Sequence, residues 1–187
     1  MTVTEPLLAA THPTPAGPFT LVAGPDGVCA AGFTADLALV AALRGPRHLL
    51  AEIRVVPDAG DASKAVLAWN DGDVDAPVTV EVALEGTEFQ RSVWAALRTI
   101  APGHPLSYTG LAVASGRPAA VRAAGRGCAT NRVSLFVPCH RVVPSGGGVG
   151  GFLWGSAVKS ALLGHERAHG ENGAWRSSPS STAPTRK

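Results

Sequence analysis

Apolar and polar positions change period several times along the chain, and each change marks an element. Residues 1–16 carry Thr and Pro without a sustained period, which reads as a flexible arm. The runs 19–24 (FTLVAG) and 28–33 (VCAAGF) flank Pro25-Asp26-Gly27 and predict a β-hairpin. An apolar helical stretch follows over 36–43, then a helix over 62–70 with Asp61 or Ser63 near its start. The run 78–84 (VTVEVAL) alternates like a strand. Residues 17–85 thus predict an α/β (α+β) supporting domain with a small sheet.

The second half reads as mainly helical. Thr87 can cap a helix over 88–99, with Phe89, Val93, Leu97 and Ile100 on or near one face. Ser107 can cap a short helix over 108–115 that Gly116 stops, and Pro118 opens another through about Cys128. Two short helices joined by a tight turn predict a helix-turn-helix. In the second of them, Ala119, Ala120, Ala123, Ala124, Gly125 and Gly127 leave one side without bulk, while Arg122 and Arg126 share a face. VSLFV (133–137) reads as a buried strand running into PCHRV, and a glycine-rich loop over 146–151 follows. Ser156 can cap a closing helix through Glu166, and 170–187, rich in Ser, Pro, Thr and Arg, reads as a disordered tail.

Charge sharpens this division. Residues 1–88 hold twelve acidic and four basic side chains, whereas 89–165 hold eight basic side chains and no carboxylate. A uniformly positive half beside an acidic one points to a polyanion partner, with the acidic half facing away. A slim helix bearing Arg122 and Arg126 can approach a phosphate backbone closely and enter a narrow groove. The same small residues would also suit tight packing against a neighbouring helix.

Three cysteines, Cys29, Cys128 and Cys139, give an odd count without paired spacing, which argues against a disulfide framework and for a reducing compartment. No CxxC or HxxxH spacing suggests a metal site, so none is expected. The first residues lack a signal-peptide pattern, and no apolar run is long enough to span a membrane. The expectation is a cytoplasmic, nucleoid-associated monomer without cofactor or membrane partner. The chemistry concentrates at Cys139, which His140 and Arg141 follow directly. A thiol becomes nucleophilic when an imidazole or a cation favours its thiolate. Glu166, the one carboxylate between residue 89 and the tail, is the candidate to orient the imidazole.

These residues also carry a resemblance. Phe89-Gln90-x-x-Val93-Trp94-x-Ala96-Leu97, Ser107-Tyr108-x-x-Leu111-Ala112, Arg122-Ala123, Asn131, VPCHRVV and Gly151-Phe152-x-x-Gly155-x-x-x-Lys159-x-x-Leu162-Leu163-x-x-Glu166 resemble the O6-alkylguanine-DNA alkyltransferase family. The variant GCATNR…GGFLWG is most similar to the alkyltransferase half of bacterial adaptive-response proteins. The match runs continuously over 89–166; the first half resembles the family only through GPFTLVA…GVCAAGF.

The resemblance implies a DNA-binding alkyltransferase domain over 86–169, acting on duplex DNA that contains O6-alkylguanine. O4-alkylthymine is left open as a second lesion. Binding through the minor groove with base flipping is implied. Cys139 would accept the alkyl group in a single turnover. His140 would act as base through a water, Glu166 would hold the imidazole, Tyr108 would serve the leaving base, and Asn131 would shape the turn. Arg122 would fill the vacated stack, with Ala123, Arg126 and Arg141 also at the DNA. The carbonyls of Cys139 and Val142 would accept from the guanine amino group, and Phe152 and Leu153 would close over the base.

Phe152 stands where Tyr is usual, Arg132 where Pro is frequent, and His104-Pro105 at the helix entrance is unusual; none removes a reacting group. Two other readings stay open. A non-catalytic lesion sensor or helix-turn-helix regulator would use the same basic half, but would not need Cys139. A cysteine hydrolase would use Cys139, His140 and Glu166, but gives no reason for Arg122 on an Ala/Gly helix.

Overall fold

The computed structural model describes residues 5–174. A four-stranded sheet, ordered β3-β2-β1-β4, is built from β1 (Leu7–Thr14), β2 (Gly17–Gly24), β3 (Gly27–Gly32) and β4 (Ile53–Val55). β1, β2 and β3 pair antiparallel, as consecutive hairpins must, while β4 joins β1 in parallel. Gly17 and Gly27, at φ +104° and +109°, supply the left-handed backbone that closes the two hairpin turns.

The expected arm over 1–16 is corrected by β1, an inner strand running from Leu7. Leu7 and Ala9 bury against one cluster and Ala10 against the other, so both faces are covered and no polar alternation is written into the sequence. Pro13 pairs with Pro18 beyond the reach of β4, where the missing N–H groups cost no ladder bond on that side.

Helices α1 (Leu37–Ala41), capped by the Asp36 carboxylate, and α2 (Asp61–Asn70) pack on the sheet. The strand expected over 78–84 is replaced by a helical turn, α3 (Ala76–Thr79), and one parallel bridge between Val28 and Val82. Pro77 opens that turn, and Arg98 takes the carbonyls of Val78 and Val80 that a ladder would have used.

In the second half, α4 (Glu88–Arg98) begins with a full capping box between Thr87 and Gln90. It buries Val93, Trp94 and Leu97. Ser107 caps α5 (Tyr108–Ala114), and α5 packs against α6 (Val121–Ala129) and α4. α6 starts later than Pro118 suggested, because Pro118 and Ala119 form a turn closed by the Ala120 N–H on the Arg117 carbonyl. Gly127 lets α6 approach α4: a Cβ there would lie 2.8 Å from a Val93 methyl. The chain closes with α7 (Ser156–Ala174), which continues past the expected start of the tail at 170. Residues 175–187 of that tail lie outside the described residues.

A two-strand parallel pair, β5 (Leu106–Ser107) with β6 (Val142–Val143), places the start of α5 beside the segment that leaves Cys139. The architecture is α+β, and the main core cluster draws Phe19, Leu21 and Trp69 from the first half together with Leu97, Leu111, Phe136 and Leu162 from the second.

Candidate active site

The strand expected over 133–137 is instead a buried turn, and Asn131 makes it. Its side-chain oxygen accepts the Val133 N–H at 3.1 Å, and its amide donates to the Val137 carbonyl at 2.7 Å. A short polar side chain that bonds nearby backbone offers the chain an alternative to a ladder. Leu135 sits at φ +73°, a conformation that a leucine holds only when its surroundings over-determine it. The turn delivers Cys139 to the start of a single 3-10 turn (Cys139–Arg141). There the Asn131 amide also donates to Sγ at 3.1 Å.

Cys139 lines a cavity of about 320 Å³ with Tyr108, Gly125, Cys128, Ala129, Asn131, Ser134, Gly151, Phe152 and Leu153. That volume falls in the range of small-molecule sites. A larger cavity, about 620 Å³, lies near the β2–β3 turn, α2 and α3, but holds neither Cys nor His among its walls. Of these two cavities the smaller one holds a thiol nucleophile and a phenol.

Burial pushes the Cys139 thiol up, opposed by the hydrogen bond from Asn131, the charge of Lys159 and a backbone hydrogen bond. Burial also raises Cys128, to about 12, aided by the neighbouring Cys139 and opposed by Lys159. Tyr108 is half-buried and also raised, by burial first and then by the two thiols. Of the three groups, only Cys139 has, among the described residues, a side-chain hydrogen bond aimed at its reactive atom.

His140 and Arg141, next in the chain, are fully buried, and so is Glu166 on α7. His140 Nε2 lies 3.0 Å from Glu166 Oε1, which fixes the donor tautomer at Nε2 and leaves a lone pair on Nδ1. Nδ1 is buried without a protein partner among the described residues. Burial alone would push Glu166 up. The charges and hydrogen bonds of His140 and Arg141 bring it down to about 2.

Arg141 is corrected as a DNA contact. Its Nε reaches both Glu166 oxygens at 3.2 and 3.0 Å, its Nη1 the Ile100 carbonyl at 2.6 Å, and its Nη2 Glu166 Oε1 at 2.8 Å and the Val74 carbonyl at 3.2 Å. The second half's one carboxylate before the tail demanded a buried cation, and Arg141 has five donors to spend on it.

The remaining expected residues divide cleanly. Arg122 and Arg126 are exposed on α6, and neither side chain makes a hydrogen bond or ion pair among the described residues; Ala123 beside them is half-buried. Phe152 and Leu153 form part of the cavity wall. That wall is fastened to the first half: the Phe152 ring lies 6.4 Å from Phe33, and Trp154 rests on Gly32 while donating to Ser134 at 3.0 Å. Val142 is fully buried, and its carbonyl accepts from Lys159 at 2.7 Å. Among the described residues no group of three His, Cys, Asp or Glu is placed to hold a metal, and no helix is long and apolar enough to cross a membrane.

Comparison with known proteins decides what this arrangement belongs to. The structure of Mycobacterium tuberculosis OGT in complex with DNA matches 87% of this chain and 94% of its own, at 30% identity and a TM-score of 0.70. Residues 88–168 match the family model described as the 6-O-methylguanine DNA methyltransferase, DNA binding domain. The chain belongs to the 6-O-methylguanine DNA methyltransferase family.

Two curated relatives are similar over about half of the chain. The Escherichia coli bifunctional transcriptional activator/DNA repair enzyme Ada is 45% identical over 97 residues, 52% of this chain and 27% of Ada. The Kluyveromyces lactis methylated-DNA--protein-cysteine methyltransferase is 43% identical over 98 residues, 52% of each chain. The chain thus spans about half or less of the length of these two relatives. Family resemblance named Lys159 without a role, and gave no notice of Cys128, Gly125, Ala129 and Ser134 in the wall. One signal was available: Lys159, Leu162 and Glu166 recur at helical spacing, so a lysine stands on a buried stripe.

Proposed function

We propose that the chain repairs DNA by moving the alkyl group of O6-alkylguanine onto Cys139, once per molecule. The observation that carries this reading is a thiol at a cavity wall, hydrogen-bonded by Asn131 and followed in the chain by a buried His140–Glu166 pair. The thiol proton passes to His140 Nδ1 through a water, and Glu166 balances the imidazolium that forms. The thiolate attacks the alkyl carbon in line, the carbon–oxygen bond breaks, and its electron pair goes onto guanine. Guanine then takes up the proton, with Tyr108 on the cavity wall to relay it. The thioether product is no leaving group, so each molecule acts once.

O6 lies inside the duplex, so the base is flipped out at a cost of about a few kcal/mol. The α5–α6 pair acts as a helix-turn-helix in the minor groove. Arg122 fills the vacated stack, Arg126 meets phosphate, and the small Ala123 lets α6 come close. Phe152 packs on the flipped base. The protein works as a monomer, since one chain carries every reacting group named. All three cysteines are free, and a thiol acceptor needs a reducing compartment that holds DNA, which supports the reading of a cytoplasmic, nucleoid-associated protein.

The test is intact-protein mass and peptide mapping after incubation with a duplex carrying one O6-methylguanine. One methyl group on Cys139, stopping at one per molecule, is the expected result. Tight binding to the lesion without a mass change would replace this reading with that of a lesion sensor.

A further inference from the structure

Lys159 is buried to 1% exposure on the first turn of α7, and its Nζ donates to the Val142 carbonyl at 2.7 Å and the Gly151 carbonyl at 3.4 Å. Among the described residues it has no carboxylate partner; Glu166, the carboxylate on the same buried stripe of α7, is committed to His140 and Arg141. An ammonium group taken out of water without a counter-ion costs several kcal/mol. The first turn of a helix is also the end where the dipole disfavours a cation. A methionine would fill the same space without either cost. The groups near Lys159 that can turn negative are the thiols of Cys139 and Cys128, and Asn131 singles out Cys139. Gly151, which Lys159 holds, belongs to the cavity wall with Phe152 and Leu153, and Val142 opens the strand that leaves the thiol.

We propose that Lys159 is a positioning residue for the acceptor thiol. Its ammonium group ties the wall segment at Gly151 to β6 and stands as the fixed counter-ion that Cys139 acquires when its proton leaves for His140. This deepens the alkyl-transfer reading and rests on it for the identity of the acceptor. The buried cation is unbalanced in the resting thiol and balanced in the thiolate, so the charge favours the reacting form over the resting one.

The test uses the full chain and iodoacetamide, with peptide mapping to follow Cys139 alone among the three thiols, across pH 6 to 10. Lys159→Met and Lys159→Gln should each move the midpoint of the Cys139 profile up by about one pH unit or more, and slow the reaction near neutral pH about tenfold. Lys159→Arg should restore most of both. Thermal melts identify the folded variants: Lys159→Met removes an unpaired buried charge but also takes the ammonium donor from the Val142 and Gly151 carbonyls. A Lys159→Gln protein that melts cooperatively and keeps the parent profile would overturn the proposal. Iodoacetamide needs no DNA, so failure of the parent to take methyl from O6-methylguanine would sink the alkyl-transfer reading while leaving this result readable.

Discussion

Replacing Glu166 by Gln separates the charge of the buried cluster from its shape. In the folded protein Glu166 titrates at about 2, against an ordinary value of 4.5. A group whose folded value is depressed contributes stability above its unfolded value and loses it as pH falls towards the folded one. That difference corresponds to roughly 3 kcal/mol above pH 5, falling to about 1.5 kcal/mol by pH 3. The Gln variant keeps the size and one acceptor oxygen, but leaves Arg141 buried without a carboxylate. Removing one partner of a buried pair costs about 3–5 kcal/mol. Urea unfolding at pH 7, 5, 4 and 3 should therefore show Glu166→Gln less stable by about 3 kcal/mol at neutral pH, with the gap closing by about half at pH 3. A gap that stayed constant across that range would refute the reasoning, because a loss that does not titrate cannot come from the carboxylate's charge.

Arg141→Met should lose about 3–5 kcal/mol in the same unfolding assay while binding undamaged duplex as the parent does; weaker binding in the folded protein would restore Arg141 as a DNA contact. Gly127→Ala should destabilise by about 1 kcal/mol, because overpacking against Val93 outweighs the gain in helix propensity, and a raised melting temperature would contradict the close approach of α6 to α4. Asn131→Ala strips the Val133 N–H of its partner and leaves the Val137 carbonyl with the Cys139 N–H alone, and should cost about 1–3 kcal/mol, read by urea unfolding, with Cys139 slower towards iodoacetamide at neutral pH. Arg126→Ala should reduce the slope of log affinity against log salt by about 1, whereas Arg122→Ala should slow methyl transfer more than it weakens binding; equal losses in both would deny Arg122 its place in the base stack.

Local chemistry in the sequence was read well where a side chain acts on its own backbone. Thr87 and Ser107 each cap the helix that follows them, because a cap needs only three residues of context. The reading failed where a distant partner decides. β1 is hidden because both its faces are covered, and 78–84 reads as a strand because nothing local reveals that Arg98 takes its carbonyls. The turn over 133–137 follows from Asn131, whose reach across six residues no alternation pattern encodes. At the site, the order Cys139-His140-Arg141 marked the chemistry, but it could not tell an arginine facing phosphate from one facing Glu166. Burial of the single carboxylate settles that, and burial is a tertiary fact.

The placement of charge explains why an acidic half with no reacting group accompanies the basic one. Glu166 must stay ionised to hold His140, so it needs a cation that solvent cannot screen, and Arg141 provides it. Arg141 in turn has more donors than Glu166 can accept, and the surplus reaches the Val74 carbonyl in the first half. Phe33 and Gly32, on or beside β3, seat Phe152 and Trp154 in the same way. The first half thus supports the cluster behind the thiol through one carbonyl and the cavity wall through two aromatic contacts. Neither support requires a conserved reactive side chain, only a rigid sheet in the right place, and a sheet can be built from many sequences. This accounts for a resemblance that is dense over 88–168 and thin before it, although the fold match extends over 87% of the chain.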